Sequence, residues 1–128
     1  MKKLLHFLLF LSCVSNAQIV NIPDANFKAK LLSADVTTSV ASASYDYNTY
    51  DSMPTTFVKI DVNNDGEIQN SEIQSIQFLD VRNSGVSDMT GLAAFVNLKF
   101  LICSQNQLTN LDLSSNLALR ELYCRGSG

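Results

Sequence analysis

Asn97-Leu98-Lys99-Phe100-Leu101-Ile102-Cys103-Ser104-Gln105-Asn106-Gln107-Leu108 is the stretch whose spacing decides the fold. Leu98, Leu101, Cys103, Asn106 and Leu108 follow the frame L-x-x-L-x-L-x-x-N-x-L, with Cys103 in an apolar slot. Twenty-two residues earlier, Ile76, Leu79, Val81, Ser84 and Val86 fit the same frame, with serine replacing the asparagine. Twenty-one residues later, Leu119, Leu122 and Cys124 restart it.

A period of about 20–29 residues with this internal spacing is the leucine-rich-repeat signature. One such unit cannot bury its own apolar face, so neighbours must stack. The pattern predicts strands Phe78–Val81, Phe100–Cys103 and Glu121–Cys124, paired in parallel. Leu79/Val81, Leu101/Cys103 and Leu122/Cys124 then point inward. Leu92, Phe95, Leu111 and Leu113 fall on the convex side. Cys103 and Cys124 share a slot in adjacent repeats. A disulfide is allowed by secretion, but in-register side chains about 4.8 Å apart suit a ladder of small apolar thiols better.

Upstream, Asp61-Val62-Asn63-Asn64-Asp65-Gly66-Glu67-Ile68-Gln69-Asn70-Ser71-Glu72 meets every constrained position of an EF-hand loop. Ca2+ takes six to eight oxygens, and this spacing supplies them. Asp61, Asn63 and Asp65 offer side-chain oxygens at positions one, three and five. Gly66 permits the sharp turn, Glu67 offers its carbonyl, Gln69 can hold a water, and Glu72 closes the cage with both carboxylate oxygens. Ile68 is the apolar anchor. The β-branched and aromatic run Thr55-Thr56-Phe57-Val58 argues against an entering helix, and only about a turn of helix fits between Glu72 and Phe78. With no second loop to stiffen it, an affinity of order 10⁻⁴–10⁻³ M is expected. At extracellular calcium, that stabilises the fold by roughly 0.5–2 kcal/mol, as suits a structural ion.

The remaining sequence bounds the rest. Lys2 and Lys3, the apolar run Leu4–Leu11 and the small residues Ser15 and Ala17 predict a signal peptide over residues 1–17, cleaved before Gln18. A membrane span needs about 20 apolar residues, more than twice this run. Lipid attachment at Cys13 fits less well, because Phe10-Leu11-Ser12 is a poor lipobox. Beyond residue 17, seven basic residues face twelve acidic ones, a net charge near −5. That excludes a phosphate-neutralising nucleic-acid surface. The only histidine is His6, so nucleophile–histidine pairs and histidine-ligated zinc are excluded from the mature chain. No second pair of carboxylates suggests hydrolysis, and the chain reads as a non-enzyme. Residues 19–33 open with Pro23 and Asp24 as helix-start residues, followed by Phe27, Leu31 and Leu32 at helical spacing. Residues 34–57 show no period and read as a long exposed loop.

Taken together, Ile22–Phe27, the loop Asp61–Glu72, Asn97–Cys103 and Leu111–Asn116 resemble the N-terminal part of bacterial secreted leucine-rich-repeat proteins of the internalin-like kind. The resemblance implies a short acidic cap leading into cell-surface repeats that bind proteins. The expected fold is α/β: a short leucine-rich-repeat solenoid with parallel strands on its concave face and an irregular or 3-10 convex side. A small helical N-terminal cap, residues 18–75, would hold the EF-hand-like loop. Residues 76–128 would form about two and a half repeats, incomplete at Arg125-Gly126-Ser127-Gly128 where another turn should follow, as in a truncated part of a longer protein. A truncated, non-functional adhesin fragment is one alternative. A dockerin-like module is another, but its second loop, Asp80–Gly91, has Arg82 where a ligand belongs and Gly91 where the closing carboxylate belongs.

The alternation of strand residues also marks a face. Phe78, Phe100, Ile102 and Tyr123 should project from the concave side, forming an aromatic and apolar group rimmed by Asp80, Arg82 and Arg125. Such a composition suits a protein ligand. Alternatively, tyrosines of residues 34–57 fold over Phe78 and Phe100.

Overall fold

The computed structural model describes residues 18–47 and 53–126, so the expected signal peptide lies outside the described residues. Helix α1 (Ala25–Leu32) starts where Asp24 can cap it: the Asp24 carboxylate accepts the Phe27 N–H at 2.9 Å. The helix buries Phe27 and Leu31, one turn apart. Upstream of Pro23 the chain is extended, not helical. Ile19 forms an antiparallel bridge with Gln69, so the opening element is a short strand-like arm followed by a helix.

Asp24 also reaches across the molecule. Its second carboxylate oxygen accepts the Ser87 N–H and hydroxyl at 2.9 Å and the Asp88 N–H at 3.0 Å. Partial burial alone would raise this carboxyl, but the bonds from Phe27, Ser87 and Asp88 overcome that and hold its pKa at about 2. A folded value below the ordinary 3.8 means that the stabilisation is complete above that value and lost as pH falls towards 2. After discounting for partial exposure it is on the order of 1 kcal/mol. The thermal midpoints of wild type and Asp24→Asn are therefore expected to converge between about pH 4 and pH 2. Curves that stay parallel through that window would contradict this role.

Four strands form one sheet in the order β1-β2-β3-β4. They are β1 (Ala41–Ser42), β2 (Phe78–Asp80), β3 (Phe100–Ile102) and β4 (Glu121–Tyr123). The last three are parallel, and their register is the one the sequence period demands: Leu79, Leu101 and Leu122 align, as do Asp80, Ile102 and Tyr123. Leu79, Val81, Leu101 and Cys103 are fully buried, and one apolar core runs from α1 through the strands to Leu108. A 3-10 turn at Leu92–Ala94 and the buried Leu92 and Phe95 close the far side.

Asn106 shows why the frame needs an asparagine. Its amide donates to the Val81 and Cys103 carbonyls at 2.9 Å. Its oxygen accepts the Ser84 N–H at 3.0 Å and the Val86 N–H at 3.1 Å. A buried turn leaves these backbone groups without water, and one planar amide satisfies all four. Because the asparagine reaches backward, the first turn has no earlier turn to serve. Serine suffices at position 84, and Asn26 of α1 donates to the Gly85 carbonyl at 2.9 Å instead. Asn116 repeats the backward reach on the far side, donating to Leu92 at 2.9 Å and Phe95 at 3.2 Å.

Residues 34–57 differ from the expected exposed loop. Val40, Ala41 and Ser42 are buried, and β1 pairs antiparallel with β2, Ala41 opposite Leu79. The Val58 N–H bonds the Ala41 carbonyl at 2.9 Å, returning the chain beside β1. β1 therefore covers the edge of the sheet that the repeats would otherwise leave open. A two-residue Ala-Ser strand has no alternation to read, which is why sequence patterning does not find it.

Candidate functional site

The loop Asp61–Glu72 is wound by its own oxygens. Asp61 accepts the Asp65 and Gly66 N–H groups at 3.1 Å, and the Asn63 side-chain oxygen also accepts from Asp65 at 3.1 Å. Asp65 accepts the Glu67 N–H at 2.8 Å. Glu72 reaches back across the loop to the Val62 N–H at 2.8 Å and caps α2 (Asn70–Ile73) through the Gln69 N–H at 3.0 Å. Gly66 sits at φ +77° with open space around a hypothetical Cβ, so the turn needs glycine for its backbone angle and not for room. The Asp65 carboxyl is held below its ordinary pKa, chiefly by the Glu67 N–H, with slight desolvation opposing and the Gln69 and Asn63 amides assisting.

Three anchors fix the loop in the fold. Ile68 is fully buried. The Glu67 carboxylate pairs with Lys28 of α1 at 2.7 Å. The arm 18–20 pairs with the loop's second half: Val20 N–H to the Ile68 carbonyl at 2.8 Å, and Asn70 N–H to the Gln18 carbonyl at 2.9 Å. No helix enters the loop, and the four residues of α2 are all that follow it before β2.

Asp61, Asn63, Asp65, Gln69 and Glu72 thus face one turn, yet their side chains bond one another. The Asn63 and Gln69 amides donate to the same Asp65 oxygen at 3.0 and 2.6 Å. Among the described residues, no three histidine, cysteine or acidic side chains stand in metal-holding geometry. The donor chemistry nonetheless fits a hard cation: carboxylate, amide and carbonyl oxygens, with no nitrogen or sulfur ligand in the set.

The concave face requires a correction. Phe78, Phe100 and Ile102 are not exposed but buried, beneath Tyr45, Met53 and Phe57 of the chain's own 34–57 segment. Phe100 packs edge-on against Phe78 at 5.3 Å, Tyr123 at 5.3 Å and Tyr45 at 5.9 Å, and Phe57 lies 6.4 Å from Phe78. The Tyr45 hydroxyl donates to Glu121, tying this cover to β4. Three unpaired aromatic and aliphatic side chains on a two-sided face would leave a large apolar surface in water, and the cover removes it. Tyr123 alone of the four remains open, 54% exposed. It borders a cleft of about 740 Å³ with Arg82, Ser104 and Arg125.

Asp80, the first residue of the rival second calcium loop, is salt-bridged to Arg82 at 2.5 Å and lies in β2. It forms no loop with Gly91. Cys103 and Cys124 face each other with sulfurs 2.6 Å apart. Burial first, and then Cys124, pushes the Cys103 thiol well above its ordinary pKa.

No family profile matches the chain. Internalin J of Listeria monocytogenes serotype 4b (strain F2365) is 41% identical over 49 residues, which are 38% of this chain and 5% of that protein. The functional domain of InlJ from Listeria monocytogenes, described as including a cysteine ladder, superposes with a TM-score of 0.50 at 25% identity. The match covers 81% of this chain and 19% of that one. The fold is internalin-like. A structure described as CBM51-2 in complex with GlcNAc and INT domains from Clostridium perfringens ZmpB shares the fold, with a TM-score of 0.54 at 23% identity, over 82% of this chain and 17% of that one. The chain thus spans a small part of each relative. Within this internalin-like fold, no helix among the described residues is long and apolar enough to cross a membrane.

Proposed function

We propose that the chain is a secreted or cell-surface leucine-rich-repeat module for protein–protein interaction, with one structural Ca2+ in an EF-hand-like loop of its N-terminal cap. The observation that carries the calcium reading is the loop Asp61–Glu72 itself. It has an oxygen donor at every required position, and it is wound by Asp61, Asp65 and Glu72 around one turn. A cation drawing these three carboxylates together would offset the repulsion that otherwise holds them apart. The ion's work is mechanical. It would draw Asp61 and Glu72 together and so clip the segment entering from Ile60 to α2, which leads directly into β2.

The interaction reading rests on the internalin-like fold and on the cleft at Tyr123. A half-exposed tyrosine between Arg82 and Arg125 has the amphipathic, rigid character of an interface anchor. Any protein ligand docks there, at the open end of the aromatic row, because Phe78 and Phe100 are already covered.

Equilibrium titration tests the calcium half. One ion per chain is expected, with a dissociation constant of order 10⁻⁴–10⁻³ M, and Glu72→Gln should remove most of that affinity. Failure to saturate by about 20 mM, well above that range, would sink the reading.

A further inference from the structure

We infer that the arm Gln18–Val20 serves the calcium loop as a partner loop would: it pairs with the loop's second half, and ion affinity depends on that pairing. The inference rests on the calcium reading above and concerns its regulation. A single twelve-residue loop is expected to be floppy, because its first half carries Asp61, Asn63 and Asp65 while its second half carries the Glu67 carbonyl, Gln69 and Glu72. Bringing the halves together costs backbone entropy of about 1–2 kcal/mol per residue ordered. Here the second half is already held. The Val20 N–H and the Gln18 carbonyl bond Ile68 and Asn70, and the Asn70 side-chain amide donates to the Gln18 side chain at 3.0 Å. The bridge centres on Ile19 and Gln69, so the pinned residues lie between the two ligands Glu67 and Glu72.

The arm is placed to transmit as well as to hold. Beyond Val20 it runs through Asn21 and Ile22 against Gly91, whose hypothetical Cβ would stand 2.7 Å from Ile22 and 2.8 Å from the Asn21 carbonyl. Ile22 and Val20 are both buried. One extended segment thus touches the calcium loop with one end and the turn after β2 with the other. Coupling of this kind is reciprocal: if the docked arm raises calcium affinity, calcium must hold the arm in place by the same factor.

Calcium titration of Val20→Pro and Val20→Ala separates the pairing from the packing. Proline removes the N–H that bonds Ile68, whereas alanine keeps it. Val20→Pro is expected to bind at least about tenfold more weakly than Val20→Ala, as for loss of one pre-organising bond. Should the proline variant not fold, hydrogen exchange of the wild-type chain decides instead. Calcium should slow the Val20 and Asn70 amides at least about tenfold more than the Cys103 amide, which bonds β4 far from the loop. Equal affinities of the two variants, or equal slowing of all three amides, would overturn the inference while leaving calcium binding intact. Absence of calcium binding in the wild type would overturn the inference together with the reading beneath it.

Discussion

Replacing Phe100 by alanine is expected to cost about 3–5 kcal/mol, a large share of the total stability of a chain of this size. Phe100 is 2% exposed and holds three aromatic neighbours at once: Phe78, Tyr45 and Tyr123. Its loss leaves a cavity between the sheet and residues 34–57 that neither side can close, because β1 and the Val58 bond fix the covering segment at its base. Tyr123→Ala removes a half-exposed ring and is expected to cost about 1 kcal/mol or less. Urea denaturation of both variants measures the difference. A Phe100→Ala loss below about 1.5 kcal/mol would show that the covering segment is not a fixed part of the core, because full burial predicts at least twice that.

Gly91→Ala carries the second large effect, about 2–4 kcal/mol. Gly91 sits at φ +106°, where an L side chain is strained, and its added Cβ would meet the Asn21 backbone oxygen at 2.8 Å. A side chain could turn aside from the methyl group, but a backbone carbonyl cannot without moving the arm. Gly66→Ala is the comparison. It shares a positive φ, +77°, but meets nothing within 4 Å, and is expected to cost only about 1–2 kcal/mol. If Gly91→Ala proved as mild as Gly66→Ala, the arm would not be packed against the turn.

Much of this molecule is legible in its sequence, and for identifiable reasons. The strands β2, β3 and β4 and their register follow from a period that leaves each turn's apolar residues nowhere to go but against the next turn. Asn106 is legible for the same reason: only an amide serves four backbone groups at once. The order of the acidic loop and the start of α1 at Asp24 come from local chemistry that acts within a few residues. What escaped sequence reading is everything that depends on distant pairing without a repeating pattern. β1 is two residues long. The arm 18–20 becomes a strand only because Ile68–Asn70 lies beside it. The second reach of Asp24, to Ser87 and Asp88, spans more than sixty residues. The concave face shows the same limit in reverse. Alternation correctly turned Phe78, Phe100 and Ile102 away from the strand core, but it could not choose between an outside partner and the chain's own Tyr45, Met53 and Phe57.

The internalin-like fold and the loop meet in one claim, that calcium holds the N-terminal cap to the strands behind it. The thermal midpoint of residues 18–128 in EDTA and in about 5 mM calcium, roughly saturating for the expected affinity, tests that claim most directly. Stabilisation by roughly 0.5–2 kcal/mol raises the midpoint by about 3–10 °C in wild type and leaves Glu72→Gln nearly unmoved. Equal wild-type midpoints in EDTA and in calcium would contradict it.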